Sequence, residues 1–200
     1  MAARLLLTLW LVFLVGRTVW TEEDTGPSVA LGKPAFQSST YADGGAASRA
    51  VDGNGSPYWA SRSCTHTKQE DNPTWWVDLG QSYVVNSVLI VNRRDCCSER
   101  LNPFNIHIGD SDQVSTNPKC GGDHQIDVAK HYAIRVSCPG MRGRFVAVRL
   151  PGPSRILELK GPRLMCATPN PSKLPPREAR SGNVVDAREA RLELSTQLPY

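Results

Sequence analysis

A cluster of charged residues and cysteines occupies positions 92–100, in the order Asn-Arg-Arg-Asp-Cys-Cys-Ser-Glu-Arg. It follows the most apolar run beyond the N-terminal segment, residues 84–91, whose β-branched content predicts a strand. The cluster is therefore expected in a loop at a strand end. Packed guanidinium groups repel one another unless carboxylates or a ligand hold them apart. The composition thus predicts a site for a polar ligand, and the alternative is a solvated run of charges.

The adjacent cysteines of this cluster allow two interpretations. Consecutive Cα atoms lie about 3.8 Å apart, whereas disulfides usually join Cα atoms about 4.4–6.8 Å apart. A Cys96–Cys97 bond would close a strained eight-membered ring and expose a small apolar plate of sulfur and methylene. Alternatively, each cysteine bridges elsewhere, and Cys64 and Cys166 are available. Geometry leaves both interpretations open.

Small and polar residues dominate the segment 42–64, which predicts a long irregular loop. Loops of this length in a compact domain are usually functional or fixed by a bound group. Asp52, Asn54 and Ser63 offer oxygen ligands of the kind that calcium prefers. The alternative is a turn held by Asx hydrogen bonds without a metal. Composition does not decide between them.

Apolar residues alternate with polar ones in several short segments. Phe104, Ile106 and Ile108 alternate with Asn105 and His107, the period of a half-buried strand, and residues 145–150 repeat the pattern. No convincing amphipathic helix is present between residues 30 and 160, and turn residues separate the short strands. The sequence therefore predicts an all-β protein, an antiparallel β-sandwich.

Both ends of the chain differ from this middle. An apolar run at residues 5–15, preceded by Arg4, is too short to span a membrane and predicts a secretory signal peptide over 1–21, cleaved between 16 and 21. An acidic leader covers 22–28, and the Pro-, Arg- and Glu-rich segment 162–200 predicts a disordered tail. No other run predicts a membrane span. We therefore expect a secreted, extracellular protein that meets an oxidising compartment.

The net charge gives no reason to expect a nucleic-acid partner. The formal charge is +4 and falls to +2 when Arg4 and Arg17 leave with the signal peptide. The remaining basic residues are dispersed along the chain rather than grouped in one patch.

The spacing of His66, Arg93, Asp95 and Arg100 resembles that of the F-type lectins, or fucolectins. That pattern is His, 26 residues, Arg, one residue, Asp, four residues, then Arg or Lys, and it fits here without a gap. Cys96–Cys97 occupies the place of the family's vicinal disulfide. The resemblance covers roughly residues 29–159, and its other matching segments are 32–39, 50–54, 63–66 and 75–80.

This resemblance implies a jelly-roll lectin domain over residues 29–161 that recognises terminal L-fucose. Arg93 and Arg100 would donate hydrogen bonds to sugar hydroxyl oxygens from planar forks. His66 would supply a third polar contact. Asp95 would orient the arginines as their salt-bridge partner.

The resemblance also implies apolar contacts to the sugar. The Cys96–Cys97 plate would pack on a face of sugar carbons. Tyr41 and Trp59 would enclose the methyl group on C6.

A calcium ion is a further implication of the resemblance. Its ligands would be the carbonyl oxygens of Arg49 and Asn54 and the side chains of Asp52 and Ser63. The family adds a glutamate from a Cys-Glu pair in its last strand, where this chain has Lys160-Gly161. Glu158 could substitute only with a register shift, which would turn the side chains of a strand to the other face.

Two further disulfide assignments follow from the resemblance. Cys120 and Cys138 correspond to a bonded pair of the fucolectins. The family's partner for Cys64 is the last-strand cysteine that this chain lacks. Cys64 is therefore expected to pair with Cys166 or to remain free.

These features predict a secreted, calcium-stabilised lectin for fucosylated glycans on cell or microbial surfaces, with a role in innate immune recognition. A single site of this kind binds weakly, so we expect a homo-oligomer. The alternatives are a discoidin-like adhesion module without fucose binding, or a misfolding-prone variant whose last strand has been replaced. His66, Asp95 and Cys96 could imitate a thiol triad, but a disulfide-bonded cysteine cannot attack a substrate, so no enzymatic activity is expected.

Overall fold

The computed structural model describes residues 28–42 and 44–169. Its five strands, in chain order, are β1 (Ala35–Gln37), β2 (Thr74–Val91), β3 (Asn105–Gly109), β4 (Ala133–Arg149) and β5 (Lys160–Pro169). Short 3-10 helices at Ala47–Val51, Trp59–Ser61, Ser98–Leu101 and Val114–Thr116 lie in the loops between them. The predicted signal peptide lies outside the described residues. Within them, no helix is long and apolar enough to cross a membrane.

All five strands pair antiparallel in the order β1-β2-β4-β3, with β5 also paired to β2. The register between β2 and β4 is interrupted after Asp78 and resumes at Tyr83. The first half of β2 lies between β1 and the end of β4, whereas its second half lies between the start of β4 and β5. The interruption therefore divides two long strands into halves with different neighbours.

One hydrophobic core receives side chains from both halves of these strands. Trp75 comes from the first half of β2, Val88 and Ile90 from the second, and Ile106 and Val148 from β3 and β4, and all five are fully buried. Because both halves face the same core, the sheet folds over on itself. The predicted all-β antiparallel sandwich is confirmed.

Strand β3 is more deeply buried than its alternating pattern predicts. The apolar residues Ile106 and Ile108 lie in the main core, but the polar positions Asn105 and His107 are also buried. One edge of β3 pairs with β4. Isolated backbone bridges also join this part of the chain to Lys119 and His124. The prediction of a half-buried strand is wrong, because the loop that follows β3 folds back over its polar face.

Strand β5 corrects the predicted end of the domain. It begins at Lys160 and runs to Pro169, and its backbone pairs with residues 83–91 of β2. The boundary predicted at 161 therefore lies inside a strand, and the domain extends eight residues further. Composition missed this strand because its pairing partner is distant in sequence. The rest of the predicted tail lies outside the described residues.

Candidate functional site

Two short extended segments bring the predicted site together. The backbone of Thr65 bonds to that of Leu159, and Thr67 bonds to Leu157, so the two segments run antiparallel. Each threonine hydroxyl also accepts a hydrogen bond from the opposite backbone N–H. Alternate side chains of extended segments point to opposite sides. The side chains between these threonines therefore point to the opposite side of the pair. There, position 66 lies opposite position 158, and position 64 lies opposite position 160.

Glu158 is the common partner of the three residues predicted to donate hydrogen bonds to the sugar. Its Oε1 lies 2.6 Å from His66 Nε2, 3.2 Å from Arg100 Nη1 and 3.4 Å from Arg93 Nη1. The carboxylate is 2% exposed, whereas Arg100 is 37% exposed. We call His66, Arg93, Arg100 and Glu158 the donor cluster. The structure thus brings the three predicted donors to one point, around an acid to which the sequence assigned another role.

The hydrogen bonds of His66 define where its protons lie. Its Nδ1 is 2.7 Å from the carbonyl oxygen of Thr67, which can only accept, so Nδ1 carries a proton. Its Nε2 faces the Glu158 carboxyl at 2.6 Å, so one further proton lies between these two groups. The pair is therefore either imidazolium with carboxylate or imidazole with carboxylic acid. Either state fixes the imidazole ring in one orientation.

Asp95 is expected to orient both arginines; it pairs with Arg93, whereas Arg100 pairs with Glu158. Nε and Nη2 of Arg93 donate to the two carboxylate oxygens of Asp95 at 2.8 and 3.1 Å, a bidentate pair. The hydrogen bond from Arg93 lowers the pKa of Asp95, and the same bond raises the pKa of Arg93. Asp95 also accepts the backbone N–H of Trp59 at 3.3 Å. This carboxylate therefore connects the arginine loop to Trp59.

Two aromatic rings flank His66. The Tyr41 ring lies 4.7 Å from the imidazole and the Trp59 ring lies 5.7 Å from it, centroid to centroid. The guanidinium of Arg93 stacks over Trp59 at 5.0 Å. Beyond Trp59, a cavity of about 290 Å³ is lined by Gly44, Arg49, Trp59 and Arg62. The two residues predicted to enclose a methyl group thus both lie against His66, and Trp59 also lies against Arg93.

The loop after β2 presents the vicinal cysteines beside the donors. Cys96 is bonded to Cys97, as the resemblance implies, and Cys96 is exposed. Cys97 has a left-handed backbone with φ of 60° and begins the 3-10 turn that carries Arg100. Arg94, between the two functional positions, is exposed and lies over the Tyr132 ring at 5.4 Å. The loop therefore separates a site-facing arginine, Arg93, from a surface arginine, Arg94.

The predicted calcium ligands come together only in part. Ser63 Oγ donates to both Asp52 carboxylate oxygens, at 2.8 and 2.6 Å, and lies 3.4 Å from the Asn54 carbonyl oxygen. Arg49 lies in the 3-10 helix Ala47–Val51 that precedes Asp52, and its guanidinium bonds to the Gly44 carbonyl. The oxygen atoms of Asp52, Asn54 and Ser63 are thus grouped as the sequence predicts.

Two further observations do not fit a metal ion in this loop. Glu158 directs Oε1 at His66, Arg93 and Arg100, which gives no support to its predicted role as a calcium ligand. The ammonium of Lys160 lies 3.6 Å from Asp52 Oδ1, where a divalent cation would meet an existing positive charge. The residues present do not fit the calcium ion that the resemblance implies.

The remaining cysteines divide into a bonded pair and a free thiol. Cys120 is bonded to Cys138, as the resemblance implies. Cys64 is free and buried, and burial raises the pKa of its thiol. The predicted Cys64–Cys166 bond is wrong, because Cys64 lies opposite Lys160. Cys166 follows Lys160 by six residues in β5. At about 3.3 Å per residue this places its backbone about 20 Å from that of Lys160. Such a distance is too long for a disulfide with Cys64.

Comparison with known proteins first defines the class. Residues 49–148 match the family model described as a NedA-like, galactose-binding domain. Fucolectin-6 of Anguilla japonica is 44% identical over 105 residues, 52% of this chain and 55% of that relative. Fucolectin of Anguilla anguilla is 36% identical over 133 residues, 64% of this chain and 84% of the relative. The fold therefore belongs to the galactose-binding-like sandwiches.

A solved structure agrees with these sequence matches. The crystal structure of an f-lectin (fucolectin) from striped bass (Morone saxatilis) serum superimposes with a TM-score of 0.64 and 40% identity, over 70% of this chain and 48% of that chain. The chain belongs to the F-type lectin (fucolectin) family. Its match spans only about half the length of several curated relatives, 55% of fucolectin-6 and 58% of fucolectin-2.

Proposed function

We propose that this chain is a secreted lectin that binds terminal L-fucose on glycans. The observation that carries the proposal is the convergence of His66, Arg93 and Arg100 on one point, with Tyr41 and Trp59 against His66 and the bonded cysteine pair in the arginine loop. Family relatives named fucolectins support fucose as the sugar. Recognition of cell or microbial surfaces in innate immunity is part of the proposal.

The polar half of the site suits a neutral sugar. Hydroxyl oxygens accept hydrogen bonds from guanidinium groups, and charge-assisted bonds of this kind are the stronger ones. A guanidinium carries five N–H donors, and Glu158 takes one from Arg100 at 3.2 Å. Because Arg100 is the most exposed member of the donor cluster, its other donors can reach a sugar without breaking that bond. Glu158 then holds the Arg100 side chain in place and does not compete with the sugar for its remaining N–H groups.

The apolar half of the site suits the methyl group of a 6-deoxy sugar. Trp59 and Tyr41 flank the imidazole of His66, and the bonded pair Cys96–Cys97 lies in the same loop as Arg93 and Arg100. Burying one methyl group is worth about 0.8 kcal/mol. We therefore expect the site to favour L-fucose over L-galactose, which differs from it only by a hydroxyl group on C6.

Retention on immobilised fucose tests the proposal, with two arginine variants as a matched pair. Arg100→Ala removes a member of the donor cluster, and we expect it to abolish retention. Arg94→Ala removes an equally charged residue of the same loop that faces Tyr132, and we expect retention to persist. A wild-type protein that unfolds cooperatively but is not retained would refute the proposal and favour a sandwich with no fucose site.

A further inference from the structure

Lys160 places a buried positive charge beside the loop that the family uses for calcium. Its side chain is 6% exposed, and its Nζ lies 3.6 Å from Asp52 Oδ1, whose side chain is 32% exposed. Lysine is almost never this buried unless an acid compensates its charge. The short distance to the Asp52 carboxylate supplies that compensation. The ion pair joins the first residue of β5 to the loop formed by residues 49–63.

The atoms around this ion pair are those predicted to hold calcium. Asp52 accepts two contacts from Ser63 Oγ, and the Asn54 carbonyl oxygen lies 3.4 Å from the same hydroxyl. An ammonium is a compact, strongly hydrated point charge that prefers such oxygen-rich surroundings. It therefore meets the same electrostatic need as a metal ion, with one positive charge instead of two.

The backbone explains why this lysine reaches the loop. Pairing of Thr65 with Leu159 sets position 160 opposite Cys64, next to Ser63. The long side chain of Lys160 then extends from the start of β5 toward Asp52. A short residue at position 160 would leave that carboxylate without this partner.

We propose that the ammonium of Lys160 replaces the calcium ion of the family, so that the loop at residues 49–63 is held by an internal cation. The fold then needs no bound metal. A calcium ion at Asp52 would lie within a few ångströms of the ammonium, and the two positive charges would repel each other strongly in this partly buried position. This inference concerns the stability of the loop and does not depend on fucose binding.

The wild-type protein gives the first test. A ligand that binds only the folded state raises its melting temperature by mass action. Thermal unfolding in excess calcium and in excess EDTA should give melting temperatures that differ by less than about 1 °C. Calcium titrated by isothermal calorimetry into EDTA-treated, dialysed protein should produce no binding isotherm. A melting temperature raised by calcium, or a binding isotherm, would overturn the proposal.

Variants of the ion pair give the second test. Lys160→Met removes the charge and keeps most of the side-chain volume, and we expect a melting temperature lower by roughly 5–10 °C. Lys130→Met is the control, because Lys130 is an exposed lysine that also pairs with an aspartate, at 2.9 Å from Asp127. Its melting temperature should change by less than about 2 °C.

A double variant separates lost charge pairing from lost packing. Lys160→Met alone leaves the Asp52 carboxylate without its positive partner, whereas the double variant Lys160→Met/Asp52→Asn removes both charges. We therefore expect a higher melting temperature for the double variant than for Lys160→Met alone. Lys160→Met as stable as Lys130→Met would refute the ion pair as the support of the loop. If Lys160→Met does not fold, the calcium and EDTA measurements on wild-type protein still decide the proposal.

Discussion

At the scale of single residues, Glu158 determines the geometry of the candidate site. It is fully buried, and one of its oxygens is within hydrogen-bond or ion-pair distance of His66, Arg93 and Arg100. A buried anion surrounded by cations is favourable only while all partners remain. Asp95 adds a second carboxyl group, which pairs with Arg93. His66, Arg93 and Arg100 are therefore held in one arrangement by Glu158 and Asp95.

Glu158→Gln should weaken both the fold and sugar binding. The amide keeps the size of the side chain but loses the charge that three donors share. Hydrogen bonds to charged groups are worth about 1.5–3 kcal/mol each, so we expect the free energy of unfolding in urea to fall by about 2–3 kcal/mol. We expect the dissociation constant for fucose, measured by calorimetry, to rise roughly tenfold, since a tenfold change needs only about 1.4 kcal/mol.

Glu99→Gln is the matched control for this residue. Glu99 is an exposed acid in the same loop, one residue before Arg100. Its substitution should change the free energy of unfolding by less than about 0.5 kcal/mol. Equal effects of the two substitutions on stability and on fucose affinity would show that Glu158 has no special role.

At the scale of elements, β3 introduces a pH-dependent term into stability. His107 is buried in this strand, and its Nδ1 bonds to the Asn117 carbonyl oxygen at 2.8 Å. Burial lowers the pKa of His107, and the nearby charges of Lys119 and Arg149 lower it further. Below the ordinary histidine pKa of about 6.5, the unfolded chain takes up a proton that the folded chain does not. The contribution of His107 to the free energy of unfolding is therefore fully present above that pH and is lost as the pH decreases.

His107→Gln should remove this part of the pH dependence. Between about pH 6.5 and the lower pKa of the folded state, one such histidine contributes a slope of up to about 1.4 kcal/mol per pH unit. We expect urea unfolding of the variant to show a smaller decline from neutral to mildly acidic pH than wild type. His131→Gln, at an exposed histidine, should keep the wild-type slope. Parallel curves for wild type and His107→Gln would contradict the prediction.

Strand β5 should be required for a folded domain. It pairs with residues 83–91 of β2 and begins with Lys160, so a chain ending at Leu159 would expose the edge of β2 and leave Asp52 without its cation. We expect that truncated chain to lose cooperative thermal unfolding by circular dichroism. A chain ending at Pro169 keeps every described contact and serves as the control. Cooperative unfolding of the shorter chain would show that β5 is dispensable.

Sequence reasoning predicted the local features of the site and missed the long-range ones. The spacing of His66, Arg93, Asp95 and Arg100 and the bond between Cys96 and Cys97 are visible as patterns within about 35 residues. The roles of Glu158 and Lys160 depend on which residues lie opposite positions 66 and 64, about 90 residues away. One residue of slip in the pairing turns a strand's side chains to the other face. The roles of Glu158 and Lys160 could therefore not be assigned from composition.

At the scale of the whole molecule, the candidate site depends on the integrity of the complete sandwich. Its residues come from separate parts of the chain: Tyr41, Trp59, His66, the loop at 93–100 and Glu158. They are brought together because the strands pair around one main core. A shallow site of this size offers few contacts, so monovalent affinity for fucose should be weak.

Several copies of this site should therefore act together on a glycan surface. We expect the protein to form a homo-oligomer, measured by size-exclusion chromatography with light scattering. Simultaneous engagement of several sites can raise avidity by about 10²–10⁴ over a single site. Surface plasmon resonance should accordingly show slower dissociation from densely than from sparsely fucosylated chips. Arg100→Ala should abolish binding at both densities, because no number of copies compensates for a lost donor cluster. A monomer whose dissociation rate is independent of fucose density would refute multivalent binding while leaving the single site intact.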